Sequence, residues 1–207
     1  MLDRHLHPRL KPLLHRCVGI IDQPAITPDG LTLVGFAIGV LALPFLALGW
    51  YLAALAVIVL NRLFDGLDGA LARRRGLTDA GGFLDISLDF LFYALVPFGF
   101  MLADPAANSL AGGWLLFAFM GTGSSFLAFA ALAAKHQIDN PGYAHKSFYY
   151  LGGLTEGTET ILLFVLGCLF PEYFAVMAWV FGALCWMTTF TRIWSGYLTL
   201  KAVQRQA

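Results

Sequence analysis

Four aspartates set in an otherwise apolar stretch carry the chemical potential of this chain. They lie in the run Asp65-Gly-Leu-Asp68-Gly69-Ala-Leu-Ala72-Arg73, followed by seven residues and then Gly81-Gly-Phe-Leu-Asp85-Ile-Ser-Leu-Asp89. Asp65 and Asp68 are three apart and Asp85 and Asp89 four apart, so on helices each pair stacks on one face, one turn above the other. The flanks 52–60 and 90–102 are almost purely apolar. Carboxylates are costly in such surroundings, which makes these four functional candidates by default. Two unit charges ~4 Å apart interact by roughly 4 kcal/mol at an effective dielectric near 20. Four converging aspartates repel far more than Arg73 alone can offset, so they must protonate or bind cations. Oxygen donors with no Cys or His among them suit Mg2+ or Mn2+ over zinc. Two such ions between two carboxylate pairs would make the paired-metal clamp used on phosphoryl groups. Gly66, Gly69, Gly81 and Gly82 would let a bulky ligand approach the backbone. The competing reading is a structural polar network in a helix bundle, but such networks normally pair acids with bases.

The pattern Asp65-x2-Asp68-Gly69-x2-Ala72-Arg73-x7-Gly81-x3-Asp85-x3-Asp89 resembles the signature of the CDP-alcohol phosphotransferases, integral membrane enzymes of phospholipid head-group synthesis. The resemblance implies an all-α integral membrane fold of six transmembrane helices, usually homodimeric, with the signature on the second and third. It implies that Asp65, Asp68 and Asp85 hold one divalent ion, Mg2+ or Mn2+. Asp65, Asp85 and Asp89 would contribute to a second ion, with Asp89 as general base. Gly69, Arg73 and Thr78 fall where CDP-binding residues lie. The implied substrates are a CDP-linked lipid or alcohol, CDP-diacylglycerol foremost, and an acceptor alcohol, with CMP released. Four carboxylates and a diphosphate carry about −6, against about +5 from two divalent ions and Arg73.

The elements that must position these groups are membrane helices. Of 207 residues 58% are hydrophobic and only 13% charged, a membrane composition well outside that of soluble domains. Formal net charge is zero, which implies neither nucleic acid nor another highly charged partner. Cys17, Cys168 and Cys185 show no paired spacing and read as small apolar packing residues. No cleavable leader is expected, because the first apolar span starts late and follows a basic, Pro-containing segment. One domain is expected over 1–207, with 1–25 an interfacial segment. Leu2, Leu6, Leu10, Leu14, Val18 and Ile21 recur at near-helical spacing between Arg4, Arg9, Lys11 and Arg16, the pattern of an amphipathic helix lying in the membrane interface. Pro8 and Pro12 limit that helix to the part beginning at Pro12.

Six apolar spans follow, at about 31–49, 51–72, 82–103, 113–134, 148–170 and 173–198, each near the ~20 residues needed to cross a bilayer. Arg4 to Arg16 precede the first, Arg73-Arg74-Arg75 follow the second, Lys135 and Lys146 bracket the loop after the fourth, and Lys201 and Arg205 follow the sixth. The loops near 50, 104–112 and 171–172 contain no Lys or Arg. The positive-inside rule then places both termini and the aspartates on the cytoplasmic side, in a bacterial or archaeal cell membrane. Trp50, Tyr51, Trp114 and Tyr173 at one set of ends, and Tyr149, Tyr150, Trp194 and Tyr197 at the other, read as interfacial belts. Gly35-x3-Gly39 is a candidate packing seam, within the chain or between copies.

Ile26-Thr27-Pro28-Asp29-Gly30-Leu31-Thr32 is a turn-and-cap sequence opening the first span. It also resembles the family's Thr-Pro-Asn-x-x-Thr segment beside the nucleotide, which makes Asp29 and Thr32 substrate-binding candidates. Asp29 departs from the commoner Asn. Lys135, His136, His145 and Lys146 suit topology and head-group contact. Thr155-Glu156-Gly157-Thr158-Glu159-Thr160 opens the fifth span, where acids suit a helix N-terminus, yet the segment is more polar than a cap requires. Arg62 and Arg192 are intramembrane charges that need partners. Glu156, Glu159, Lys135 and Arg192 are the acceptor candidates. The Thr-Glu-Gly run resembles the choline and ethanolamine phosphotransferases, which favours a non-phosphorylated acceptor. A reading from another class is a divalent-cation transporter or membrane metal-binding module. Such sites usually lie mid-bilayer between repeated halves, whereas this cluster abuts Arg73–Arg75 and no repeat is visible.

Overall fold

The computed structural model describes residues 18–19, 22–136, 138 and 153–206. Among them the fold is all-α, with no strand. α1 (Pro28–Val40) opens with Gly30 N donating to the Thr27 Oγ1 at 3.1 Å, and Pro28 sits at the first turn, where a missing N–H costs nothing. The helix breaks at Leu41 before α2 (Ala42–Ala47), because Pro44 has no N–H to give the Val40 carbonyl. α3 (Tyr51–Arg75) stops at Gly76, whose φ of 110° is open to glycine and strained for other residues. α4 (Asp79–Ala103) is capped by Thr78, which accepts from Gly81 N at 3.0 Å. α5 (Pro105–Lys135), α6 (Gly157–Leu169) and α7 (Phe174–Gln206) complete the chain, with a 3-10 turn at Pro171–Tyr173 before α7.

With α1 and α2 taken as one, six helical rods stand where six spans are expected. Four are long and apolar enough to cross a bilayer: Pro28–Ala47, Asp79–Ala103, Pro105–Lys135 and Pro171–Arg205. α3 has the length but carries Arg62, Asp65, Asp68 and Arg73–Arg75, and α6 has only 13 residues. By length and composition, then, four of the six qualify. α5 starts at 105 and not near 113, because Asp104 caps it through Ala107 N at 3.0 Å. The polar Asn108, which hides that start in a hydropathy reading, is buried and donates Nδ2 to the Phe100 carbonyl at 3.0 Å.

The core joins α2, α3, α4, α6 and α7 through Leu46, Ile58, Phe92, Phe100, Phe164 and Phe174, all fully buried. The Phe100 and Phe174 rings stack at 4.0 Å between centroids, and Tyr51 stacks on Phe100. α5 lies along α7, and α1 along α3. The Gly35/Gly39 seam is internal: a Cβ on Gly39 would meet Asn61 at 2.9 Å and Phe92 at 3.0 Å, and one on Gly35 would meet Phe64 at 2.6 Å. Large apolar side chains such as Leu52, Phe117, Met120, Val176 and Phe190 point outward, where a bilayer would cover them. Trp50, Tyr173, Trp194 and Tyr197 are exposed as a belt requires. Tyr51 instead packs in the core, and Trp114 turns inward to donate Nε1 to the Trp179 carbonyl at 3.2 Å. Most of the expected interfacial helix over 1–25 lies outside the described residues, as do His145, Lys146, Tyr149 and Tyr150. Val18 is described and packs against Ala70 and Leu71.

Candidate active site

The C-terminal half of α3 and the N-terminal half of α4 bring the aspartates together. Their spacing of three on α3 and four on α4 turns both pairs toward one cavity of about 590 Å³, which Asp65, Asp68, Asp85 and Asp89 all line. Ligand oxygens of Asp65, Asp68 and Asp85 lie within 4.8 Å of one another. Three carboxylates at that separation, without sulfur or imidazole, fit a hard divalent cation. Asp68 is only 4% exposed. Its Oδ2 accepts from the Thr32 Oγ1 at 2.5 Å, which ties α1 to the cluster and answers one lone pair of a buried charge.

Asp89 is not one of the converging three, and a cation holds it. Arg62 Nη2 lies 2.8 Å from Asp89 Oδ1, and Arg62 Nη1 lies 3.6 Å from Asp65 Oδ2. The polar network is thus part acid–base pair and part convergent acids, and the pairing covers one corner of it. Arg73 also lines the cavity, its guanidinium lying over Gly69, where a Cβ would meet Nη1 at 3.2 Å.

The remaining candidates divide. Gly69, Arg73, Glu156 and Arg192 line the cavity with the aspartates. Thr32 lines a small recess behind Asp65, Asp68, Asp85 and Asp89. Asp29 and Thr78 meet at Gly81, where a Cβ would lie 3.0 Å from Asp29 Oδ1 and 2.9 Å from Thr78 Oγ1. Both are exposed and neither lines the cavity. Lys135 is exposed at the end of α5, away from the lining. Glu156 and Glu159 form a reciprocal capping box at the start of α6, with Glu159 Oε2 accepting from Glu156 N at 3.1 Å. That box absorbs the first-turn acids as the dipole argument anticipates. Glu156 also reaches the cavity, whereas Glu159 does not. Arg192, 7% exposed, donates to the Thr122 carbonyl at 3.3 Å and faces the Phe126 ring.

Sequence reasoning left Tyr93 and Thr122 out of the site, although both line the cavity. Tyr93 stands one turn beyond Asp89 on α4, a spacing that signals a shared face. Thr122 carries no such mark in the sequence.

A polytopic helical membrane protein with a carboxylate cluster at the end of its second and the start of its third rod is thereby defined. The family model for CDP-alcohol phosphatidyltransferase matches residues 25–194. The chain belongs to that family, and it is accordingly a CDP-alcohol phosphotransferase, a membrane transferase of phospholipid synthesis. It is 88% identical over 206 residues, covering 100% of each chain, to the inner membrane protein YnjF of Escherichia coli K12. It is 27% identical to the archaetidylinositol phosphate synthase of Pyrococcus horikoshii, covering 95% of this chain and 97% of that one. The crystal structure of Mycobacterium tuberculosis phosphatidylinositol phosphate synthase with CDP-DAG bound matches with a TM-score of 0.66, at 22% identity over 90% of this chain and 94% of that one. The same enzyme in complex with manganese and citrate matches with a TM-score of 0.67, at 22% identity over 89% and 88%. At that identity the likeness to solved structures concerns the fold.

Proposed function

We propose that the chain transfers a phosphatidyl or other substituted phosphoryl group from a CDP-alcohol, foremost CDP-diacylglycerol, to an acceptor alcohol. The observation that carries this is the convergence of Asp65, Asp68 and Asp85 on a cavity that also holds Asp89, Arg73 and a polar far wall. Mg2+ or Mn2+ would be held by Asp65, Asp68 and Asp85, with Asp65, Asp85 and Asp89 serving a second ion. When bound, such ions neutralise diphosphate oxygens and stabilise charge developing on the transferred phosphoryl group. Arg73 binds the diphosphate, and Gly69 leaves the backbone clear for it. Asp29, Thr32 and Thr78 lie on the CDP side. Asp89 takes the proton of the acceptor hydroxyl. The acceptor oxygen forms its bond to the phosphorus distal to cytidine as the bond to the CMP oxygen breaks, and CMP leaves with the electron pair.

The far wall carries Glu156, Thr155, Thr158 and Thr160 with Arg192. Among the described residues, one buried cation with a carboxylate and several hydroxyls suits a neutral polyol or an amino alcohol better than a phosphate monoester. Lys135, which would have strengthened a phosphate site, lies away from the lining. We therefore assign a non-phosphorylated acceptor contacting Glu156, with the chain working as a homodimer and the site open to the cytoplasm. Purified protein with Mn2+, CDP-diacylglycerol and a panel of alcohols, followed by mass identification of the lipid, tests the reading. CMP release with a neutral or amino alcohol supports it. Robust transfer only to glycerol phosphate or inositol phosphate overturns the acceptor, and no CMP release from any CDP-alcohol overturns the transfer itself.

A further inference from the structure

We propose that Arg62 is a positioning residue: a fixed internal cation that aims Asp89 and competes with the divalent ion for the carboxylates around it. The inference rests on the proposed role of Asp89 for its catalytic half, and on the site geometry alone for its ion-binding half.

Arg62 is held on every side. Its Nε and Nη2 both donate to Asn61 Oδ1, at 2.8 and 2.6 Å. Nη2 also donates to Asp89 Oδ1 at 2.8 Å, and Nη1 approaches the Tyr93 hydroxyl at 3.4 Å. The guanidinium carbon lies 4.8 Å from the centroid of the Phe92 ring, a face that attracts a cation. Asn61 is itself fixed: it is 4% exposed, and its Nδ2 donates to the Gly35 carbonyl at 2.9 Å. With the amide nitrogen committed to α1, the amide oxygen is left to face Arg62. A chain of hydrogen bonds therefore runs from the backbone of α1 through α3 to Asp89 on α4. The close approach of α1 at Gly35 and Gly39 keeps its first link short.

Two consequences follow from that placement. Arg62 takes one oxygen of Asp89 while the residue still lines the cavity, so the carboxylate is oriented without being closed off. The guanidinium also stands 3.6 Å from Asp65 Oδ2, and a guanidinium cannot shed its charge. A divalent ion entering at Asp65 meets a permanent positive neighbour and a rival for the same oxygens. With the donor bound, the charge count balances. Four carboxylates and a diphosphate carry about −6, and Arg62 raises the opposing charge of two divalent ions and Arg73 from about +5 to about +6.

The two halves make predictions of opposite sign. Titrating Mn2+ into the purified full-length chain by calorimetry, without substrate, should show Arg62→Gln binding the ion several-fold more tightly than the unaltered protein. At saturating Mn2+ and CDP-diacylglycerol, the same variant should lose about 10- to 100-fold in kcat, the usual effect of removing an outer partner of a site carboxylate. The donor KM should stay nearly constant. Arg62→Lys, which keeps the charge and loses the fork, should bind Mn2+ as the unaltered protein does and recover only part of kcat. A merely structural Arg62 would weaken ion binding and turnover together, and that outcome in Arg62→Gln overturns the proposal. So does full kcat in Arg62→Lys, a result that stands even where Arg62→Gln fails to fold. Were no CDP-alcohol turned over, the Mn2+ comparison would still decide the ion-binding half, so this inference and the proposed function fail separately.

Discussion

At the scale of single residues the site is a contest between like charges, and each aspartate is expected to fail in its own way. Asp65→Asn and Asp85→Asn remove members of the convergent trio. Both variants should stay folded in detergent yet lose metal-dependent CMP release, and EDTA should do the same to the unaltered protein until Mg2+ or Mn2+ is restored. Turnover in excess chelator would end the metal account. Asp89→Asn should keep CDP-lipid binding and lose kcat, because a base is needed only in the transition state. Loss of donor affinity alone would make Asp89 a ligand. Thr32→Val deprives the buried Asp68 of its 2.5 Å donor. It should raise the Mn2+ concentration for half-maximal activity by about tenfold, and Thr32→Ser should restore it. The aspartates were legible in sequence because an apolar run makes each acid conspicuous and the spacings imply shared faces. The Arg62–Asp89 pair was not. The i,i+3 relation connects Arg62 to Asp65, while its contact with Asp89 depends on how α3 crosses α4, which no local pattern records. Glu159 shows the same limit: a capping acid and a substrate-binding acid look alike in sequence, and the structure sets Glu159 in the capping box of α6.

At the scale of elements, the start at Thr27-Pro28 was readable, while the caps at Thr78 and Asp104 and the stop at Gly76 were not read as helix bounds. Thr27-Pro28, Thr78 and Asp104 start helices through side-chain oxygens, and Gly76 ends one through its φ of 110°. What escaped was the depth of each rod. α3 carries so much charge that composition alone does not mark it as a span, and Asn108 hid the first turns of α5 until its bond to Phe100 was seen. The inward turn of Tyr51 and Trp114 was invisible for a related reason, since a belt residue and a packing residue share one sequence position. The α1–α3 seam offers the sharpest test at this scale. A side chain on Gly39 has to displace Asn61 and Phe92, both packed and one hydrogen-bonded. Overpacking of this kind costs about 1–3 kcal/mol. Gly39→Val should therefore lower the unfolding temperature in detergent and, by disturbing Asn61, reduce turnover. Gly113, where a Cβ meets nothing within 4 Å, should accept Ala with neither effect.

At the scale of the whole molecule, the distribution of charge orients the bundle. If each rod reverses the direction of the one before it, the C-terminal ends of α3, α5 and α7 would share one side of the membrane. Those ends carry Arg73–Arg75, Lys135, Lys201 and Arg205. The opposite ends, near Trp50, Asp104 and Pro171, bear no Lys or Arg. Arg74 and Arg75 also pair with Asp22 at 3.0 and 2.6 Å, and Arg75 donates to the Gln23 carbonyl at 2.7 Å, which ties the segment before α1 to the basic side. Asp65, Asp68 and Asp85 lie toward that same end of α3 and the start of α4. Under the positive-inside rule the proposed reaction would sit where CMP can leave into the cytoplasm. Two single cysteines test this in a Cys17→Ser background, with Cys168 and Cys185 buried. Ala106→Cys, exposed in the first turn of α5, should react with a membrane-impermeant maleimide added outside spheroplasts. Gln204→Cys, exposed in the last turn of α7, should react only after the membrane is permeabilised. The reverse pattern would place the aspartates on the outer face and leave a CDP-linked donor on the wrong side of the membrane.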